Sequence, residues 1–156
     1  MIKKFSRLDL HHSGHLRFDS GGVTATPEAQ FKDEFYAAAK RLLGKRIALS
    51  SEWSNDGDGR IDYRVVNTGW GIELLRNGDR LAEHCKRFEP NGRYYKAIQD
   101  GDLVDWVVID FTHRNPNKFT NVPNAKLIRV VFAGDYASAK ILDPDSEVLV
   151  PEFPLC

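Results

Sequence analysis

The run Asp105–Thr112 (DWVVIDFT) restricts the fold more than any other stretch of the chain. Its apolar residues fall on both faces of an extended chain, so a strand here must lie inside a sheet covered on both sides. Lys126–Phe132 (KLIRVVF) has the same character. The HRNPNKFTNVPN between them is loop, with two prolines and several Asx-turn residues. Asp110, within the first run, is expected near a strand end or paired.

Upstream the pattern is helix and then hairpin. Thr26-Pro27-Glu28 has the form of a helix start, with Thr as N-cap and an acid near the positive end of the dipole. Phe31, Phe35, Ala38 and Leu42 then form one apolar stripe, and Gly44 supplies the stop. Glu34 stands beside that stripe, facing either solvent or a cleft. Arg46–Trp53 reads as the first strand and SNDGDG as a turn. A calcium loop is excluded there, because Ser54 and Val65 occupy ligand positions that need oxygens of another kind. Arg60–Val66 is the second strand, with Asp62, Arg60 and Arg64 on one face and Ile61, Tyr63 and Val65 on the other. Asn67, Thr68 and Gly69 turn the chain into a third strand, Trp70–Arg76. Asp79 is placed to cap the next helix, in which Leu81, Cys85 and Phe88 make the buried stripe. Arg80, His84 and Arg87 make a second stripe about 100° further round. A last short strand is expected at Ala139–Leu142, followed by an edge or coil tail.

The order is helix, three strands of a meander, helix, strand, strand. It predicts an α/β fold with an α-β-β-β-α-β core, a mixed sheet flanked by helices, because a helical crossover returns a strand parallel to its neighbour. Residues 1–25 read as a polar lead-in and 26–156 as the domain. His11, His12 and His15 lie in the lead-in without a Cys or acid to complete a metal set, and read as solvated.

Composition narrows the function classes. There are 22 basic and 22 acidic side chains, so no global field draws the chain onto nucleic acid or acidic lipid, and any such contact needs a local patch. Two cysteines make no disulfide framework. No run suits a membrane span, and the basic start lacks the apolar stretch of a signal peptide, so no membrane partner is expected.

Two acids stand out chemically. Glu73 sits among Ile72, Leu74 and Leu75, where a charge has no stability rationale. Paired across the hairpin, Asp62 and Glu73 are expected to hold a divalent metal. Arg80, His84 and Arg87 can meet phosphates, the plainer alternative being a solvated face partnered by Glu83 and Glu89.

Asp62 and Glu73 on successive strands resemble the PD-(D/E)XK nuclease signature, with Glu34 matching the helix glutamate many of those enzymes add. DEFY (33–36), GRIDY (59–63), WGIELLRNGDRLAEHCKRF (70–88), Gly92 with Tyr94, and VVIDF (107–111) together are similar to the nuclease-like C-terminal domain of Crinkler-type effectors. The resemblance spans Glu28 to about Phe132. It implies a restriction-endonuclease-like fold and Mg²⁺- or Mn²⁺-dependent cleavage of nucleic acid, DNA in the first instance. It also implies fusion to further effector or NTPase domains, and action of a secreted effector inside a host cell, in the nucleus. Asp62, Glu73 and Glu34 would hold the metal. Catalysis would rest on Asp62, Glu73, Arg76 and His84, and nucleic-acid contacts on Arg76, Arg80, His84 and Arg87. The chain departs from the signature at Leu75, where the family has lysine. Arg76, His84 or Arg87 must then supply the cation, and a catalytically inactive nuclease-like fold that binds DNA or a host protein is the alternative.

Overall fold

The chain is a mixed α/β fold. A computed structural model describes residues 1–15, 26–44, 47–55 and 59–156, with the backbone alone for His15. Its seven strands, β1 Leu49–Trp53, β2 Ile61–Val65, β3 Trp70–Arg76, β4 Asp105–Thr112, β5 Leu127–Phe132, β6 Ser138–Leu142 and β7 Val148–Pro154, form one sheet in sequence order. β1, β2 and β3 are antiparallel neighbours, β3, β4 and β5 run parallel, and β6 and β7 are again antiparallel. The meander, the parallel return after β3 and the central place of β4 and β5 all follow the sequence pattern. Of the tail, Val148–Pro154 is the edge strand β7.

Among the described residues four helices accompany the sheet: α1 Arg7–His15, α2 Glu28–Leu43, α3 Leu81–Lys86 and α4 Tyr95–Gln99, with a 3-10 turn at Ile2–Lys4. On one face α2 buries Phe31, Phe35 and Ala38 against Tyr63, Ile72, Leu74, Ile109 and Phe111. On the other, Leu81, Cys85, Phe88 and Ala97 meet Leu75, Val108 and Leu127, and Phe119 and Val122 of the 113–126 loop close the layer. Leu42 is the stripe residue left exposed. Cys85 is buried, Cys156 exposed, and both are free thiols. Among the described residues no helix is long and apolar enough to cross a membrane.

Three local expectations are corrected. Residues 1–15 are not a lead-in: Ile2, Phe5 and Leu10 are buried in the α2 layer, and the Phe5 ring lies 5.8 Å from Phe111. Polar residues between those apolar anchors mask them in composition. Thr26 does not cap α2, whose flanking residue is Pro27. Its hydroxyl instead donates to Leu10 O at 2.7 Å and accepts from the Tyr136 hydroxyl at 2.7 Å. Asp79 does not cap α3 either; Arg80 precedes that helix in the left-handed region, φ 48°. Of the SNDGDG turn, Asp56, Gly57 and Asp58 lie outside the described residues, as does Arg46 at the start of the expected first strand.

Asp110 stands on the α3 side of β4, beside Arg129 in the β4–β5 register. It is 3 % exposed, and its Oδ1 accepts the Gly78 N–H at 2.8 Å. Burial raises its carboxyl above the ordinary aspartate value, against the lowering effects of that bond and of Arg129. A carboxyl raised on folding contributes stability below its unfolded value and loses it as pH rises through the folded one. Asp110→Asn is therefore expected to gain in urea midpoint relative to wild type between pH 4 and pH 7; a constant difference would contradict this.

Candidate active site

The site begins with a defect in β2. Ser51 pairs with Tyr63 and Trp53 with Ile61, while on the other side the β3 ladder ends at Tyr63 and Ile72. Asp62 is thus left out of both ladders. Glu52, across from it, is held at φ 51°, a left-handed conformation that costs a non-glycine residue about 1–3 kcal/mol. The strict alternation expected for β2 breaks here: Tyr63 packs in the α2 layer, but Ile61 packs in the α3 layer. Asp62 therefore does not share a face with Arg64, whose guanidinium lies over Trp53 and donates to Asp102 O at 2.9 Å.

Freed from the pleat, the Asp62 carboxylate turns into the opening between β2 and β3. Its Oδ2 accepts the Leu74 N–H at 2.8 Å, replacing a missing ladder acceptor. Its Oδ1 pairs with Lys32 Nζ of α2 at 2.7 Å. Lys32 also meets Glu28 Oε1, four residues earlier, at 3.0 Å. Burial would lower the Lys32 ammonium, but the hydrogen bond and charge of Asp62, with Glu28 adding, hold it above the ordinary lysine value. Burial raises the Asp62 carboxyl, and the negative charge of Glu73 raises it further, outweighing Lys32 and the Leu74 N–H.

Glu73 faces the other layer. Ile72 and Leu74 point to α2, so Glu73 between them points to α3 and α4, where it is 2 % exposed. Its Oε2 meets His84 Nδ1 at 2.9 Å, and an acceptor-only carboxylate requires the proton on that nitrogen. Arg87 Nη1 lies 3.6 Å from the same oxygen. The Tyr94 hydroxyl is 2.6 Å from Glu73 Oε1 and 2.6 Å from Arg60 O, so one proton serves two acceptors. Arg87 Nε is buried without a hydrogen-bond partner among the described residues.

Gly92 permits this placement of Tyr94. A Cβ there would stand 2.3 Å from Lys86 O and 2.4 Å from Arg87 O, closer than any side chain tolerates. The close pass lets Tyr94 N–H donate to Arg87 O at 2.8 Å, which fixes the tyrosine beside α3.

The expected residues are therefore partly united. Asp62 and Glu73 do not converge as a shared metal site would need: they turn to different layers, Asp62 to Lys32 and the Leu74 N–H and Glu73 to His84 and Tyr94, and act on each other through charge. His84 joins Glu73, and Arg87 is shared between Glu73 at 3.6 Å and its expected local partner Glu83 at 3.3 Å. Arg80 is left outside, 62 % exposed and 3.7 Å from Asp79. Arg76 points away from the acids and donates to Thr26 O at 2.9 Å. Glu34 is buried elsewhere: its Oε2 accepts the Ser6 N–H at 2.6 Å just before α1, and burial raises its carboxyl. It does not join Asp62 and Glu73, because α1 needs an acceptor at its start and Glu34 supplies it. Among the described residues no group of three or more His, Cys, Asp or Glu stands together to hold a metal ion. Lys32 was missed in the sequence because it lies one residue off the apolar stripe, and its pairing is tertiary. No family model matches this chain, and neither does any curated protein or solved structure.

Proposed function

We propose that the domain is a metal-dependent nuclease of the restriction-endonuclease-like class, with Asp62, Glu73 and Lys32 at its centre. The observation that carries this reading is Asp62, excluded from both ladders beside a strained Glu52 and paired with a lysine from another element. Strain of that kind persists where the surrounding structure enforces it, and it clusters at functional sites. Lys32 brings the cation that Leu75 lacks, so the departure from the signature is compensated from α2.

The donor set suits Mg²⁺ or Mn²⁺ in kind. Magnesium takes one or two hard carboxylates and completes its shell with water and substrate oxygens, so a cage of three protein acids is unnecessary. Asp62, on the α2 side beside Lys32, would be the acid that holds the ion, while Glu73, turned to the other layer, acts on it through its charge, which raises Asp62. When bound, the ion supplies an activated water and neutralises developing phosphate charge. Lys32 neutralises charge beside Asp62. His84 and Tyr94 hold the Glu73 carboxylate in place, and the orphan Nε of Arg87 is a donor for a phosphate oxygen.

A second reading has its own support: all four oxygens of the two acids already have donors in the protein. On that reading the domain binds DNA or a protein partner without cutting. Plasmid, single-stranded DNA and RNA incubated with the protein in Mg²⁺, Mn²⁺ or EDTA separate the two. Cleavage in metal is expected to fall by roughly 10²–10³ in Lys32→Ala, the scale of losing one charge-stabilising group, and to vanish in Asp62→Ala. Cleavage that survives Asp62→Ala would sink the nuclease reading, and absence of cleavage in every metal favours the second.

A further inference from the structure

We propose that a cavity at the carboxyl ends of β3 and β4, away from the acid pair, binds a phosphate monoester. This cavity measures about 560 Å³ and is lined by Arg76, Arg114, Arg129, Asp110, Phe119 and Tyr136, among others. It lies beyond the carboxyl ends of β3 and β4, where the 76–78 turn and the 112–119 loop leave the sheet. Three guanidinium groups and one carboxyl face it, a local cationic excess in a chain of zero net charge.

Arg129 is the group that points to a ligand. It is 3 % exposed, an unusual place for a guanidinium, and its Nε has no hydrogen-bond partner among the described residues. Its Nη1 donates to Asn117 O and to Ser146 Oγ, and its guanidinium carbon lies 5.7 Å from the Phe119 ring centre. Asp110, its register neighbour, forms no ion pair with it within 4 Å among the described residues. Asp110 and Asp143 act on it through charge without a direct ion pair, and a buried cation held only in that way is costly to keep unless an anion completes it.

The groups around it suit phosphate. Arg114 follows the end of β4, where its N–H meets Thr112 Oγ1 at 3.1 Å, and its side chain is exposed at the cavity mouth. Arg76 is anchored on Thr26 O by Nη1, which orients the rest of its fork. Several fixed guanidinium donors match the three oxygens of a terminal phosphate. The volume exceeds what inorganic phosphate fills, which leaves room for an organic group beside the largely buried Phe119 and Tyr136 that line it. The ligand chemistry is a terminal phosphate carried by an organic group, either a free nucleotide or the phosphorylated end of a nucleic-acid strand.

Calorimetric titration in EDTA, where a metal-dependent centre is idle, tests this independently of cleavage. The probes are inorganic phosphate, AMP, adenosine, and one oligonucleotide with and without a 5′-phosphate. Wild type is expected to bind AMP or the 5′-phosphorylated strand and to lose about tenfold or more in affinity without the phosphate. Preference for AMP identifies a nucleotide site, and preference for the oligonucleotide a strand-end site. Arg114→Ala, an exposed change that leaves the core untouched, is expected to weaken the preferred probe about tenfold, with Arg129→Lys weaker still. Binding that ignores the phosphate, no binding of any probe at millimolar concentration, or affinity unchanged in Arg114→Ala would each overturn the site.

Discussion

Glu73→Ala is expected to lower the free energy of unfolding by about 3–5 kcal/mol, the usual cost of removing one partner of a buried charge pair. The carboxylate is 2 % exposed and serves His84 at 2.9 Å, the Tyr94 hydroxyl at 2.6 Å and Arg87 at 3.6 Å. Its removal leaves three donors facing a void. Because a domain of this size has only about 5–15 kcal/mol in total, the loss will show as a large fall in urea midpoint. Glu73→Gln separates stability from chemistry. Its amide oxygen can still accept from Tyr94, and its amide nitrogen can face His84 after a tautomer change, so about 1–2 kcal/mol is the expected loss. Its negative charge is gone, however, and with it its action through charge on a metal at Asp62. On the nuclease reading Glu73→Gln is therefore folded and inactive. A folded Glu73→Gln that still cuts would remove Glu73 from the centre.

Phe111→Ala is expected to cost about 3–5 kcal/mol, as truncation of a fully buried aromatic does. Phe111 is 0 % exposed, and its ring stacks on Phe31 at 4.8 Å and lies 6.0 Å from Phe132 and 5.8 Å from Phe5. It joins β4 to α2, to β5 and to the amino-terminal turn, so the cavity cannot close by moving one element. Thermal unfolding should shift down by roughly 5–15 °C or more, given the scale of a few degrees per kcal/mol. Loss of less than 1 kcal/mol would mean that residues 1–15 and α2 do not pack on the sheet as described.

The sheet was legible because its signal is local. Trp70–Arg76 and Asp105–Thr112 are bounded as their alternation and apolar runs imply, and Gly44 ends α2 where a left-handed residue is needed. The two inward stripes, Phe31–Phe35–Ala38 and Leu81–Cys85–Phe88, were equally plain, since a helix must bury what repeats every third or fourth residue. Leu42 strayed from the first stripe because the helix outruns the surface it covers.

By itself the sequence determined the order α2, β1 to β3, α3, β4 and β5, the parallel return after β3, and the suspicion that Asp62 and Glu73 are chemically special; α1 and α4 were not legible in it. Only the tertiary structure decided what those acids touch. Strand periodicity assigns a face to every residue, but Asp62 escapes it by leaving both ladders, and no periodic pattern encodes a missing ladder partner. Lys32, Glu34 and Arg76 were likewise assigned by packing. Lys32 meets an acid 30 positions away in the chain, Glu34 serves the start of α1, and Arg76 serves Thr26 at the rim of a second cavity. A charged side chain is long and its energy depends on whichever partner lies within a few ångströms. That partner is set by how the layers stack, a property of the whole chain and not of any local stretch.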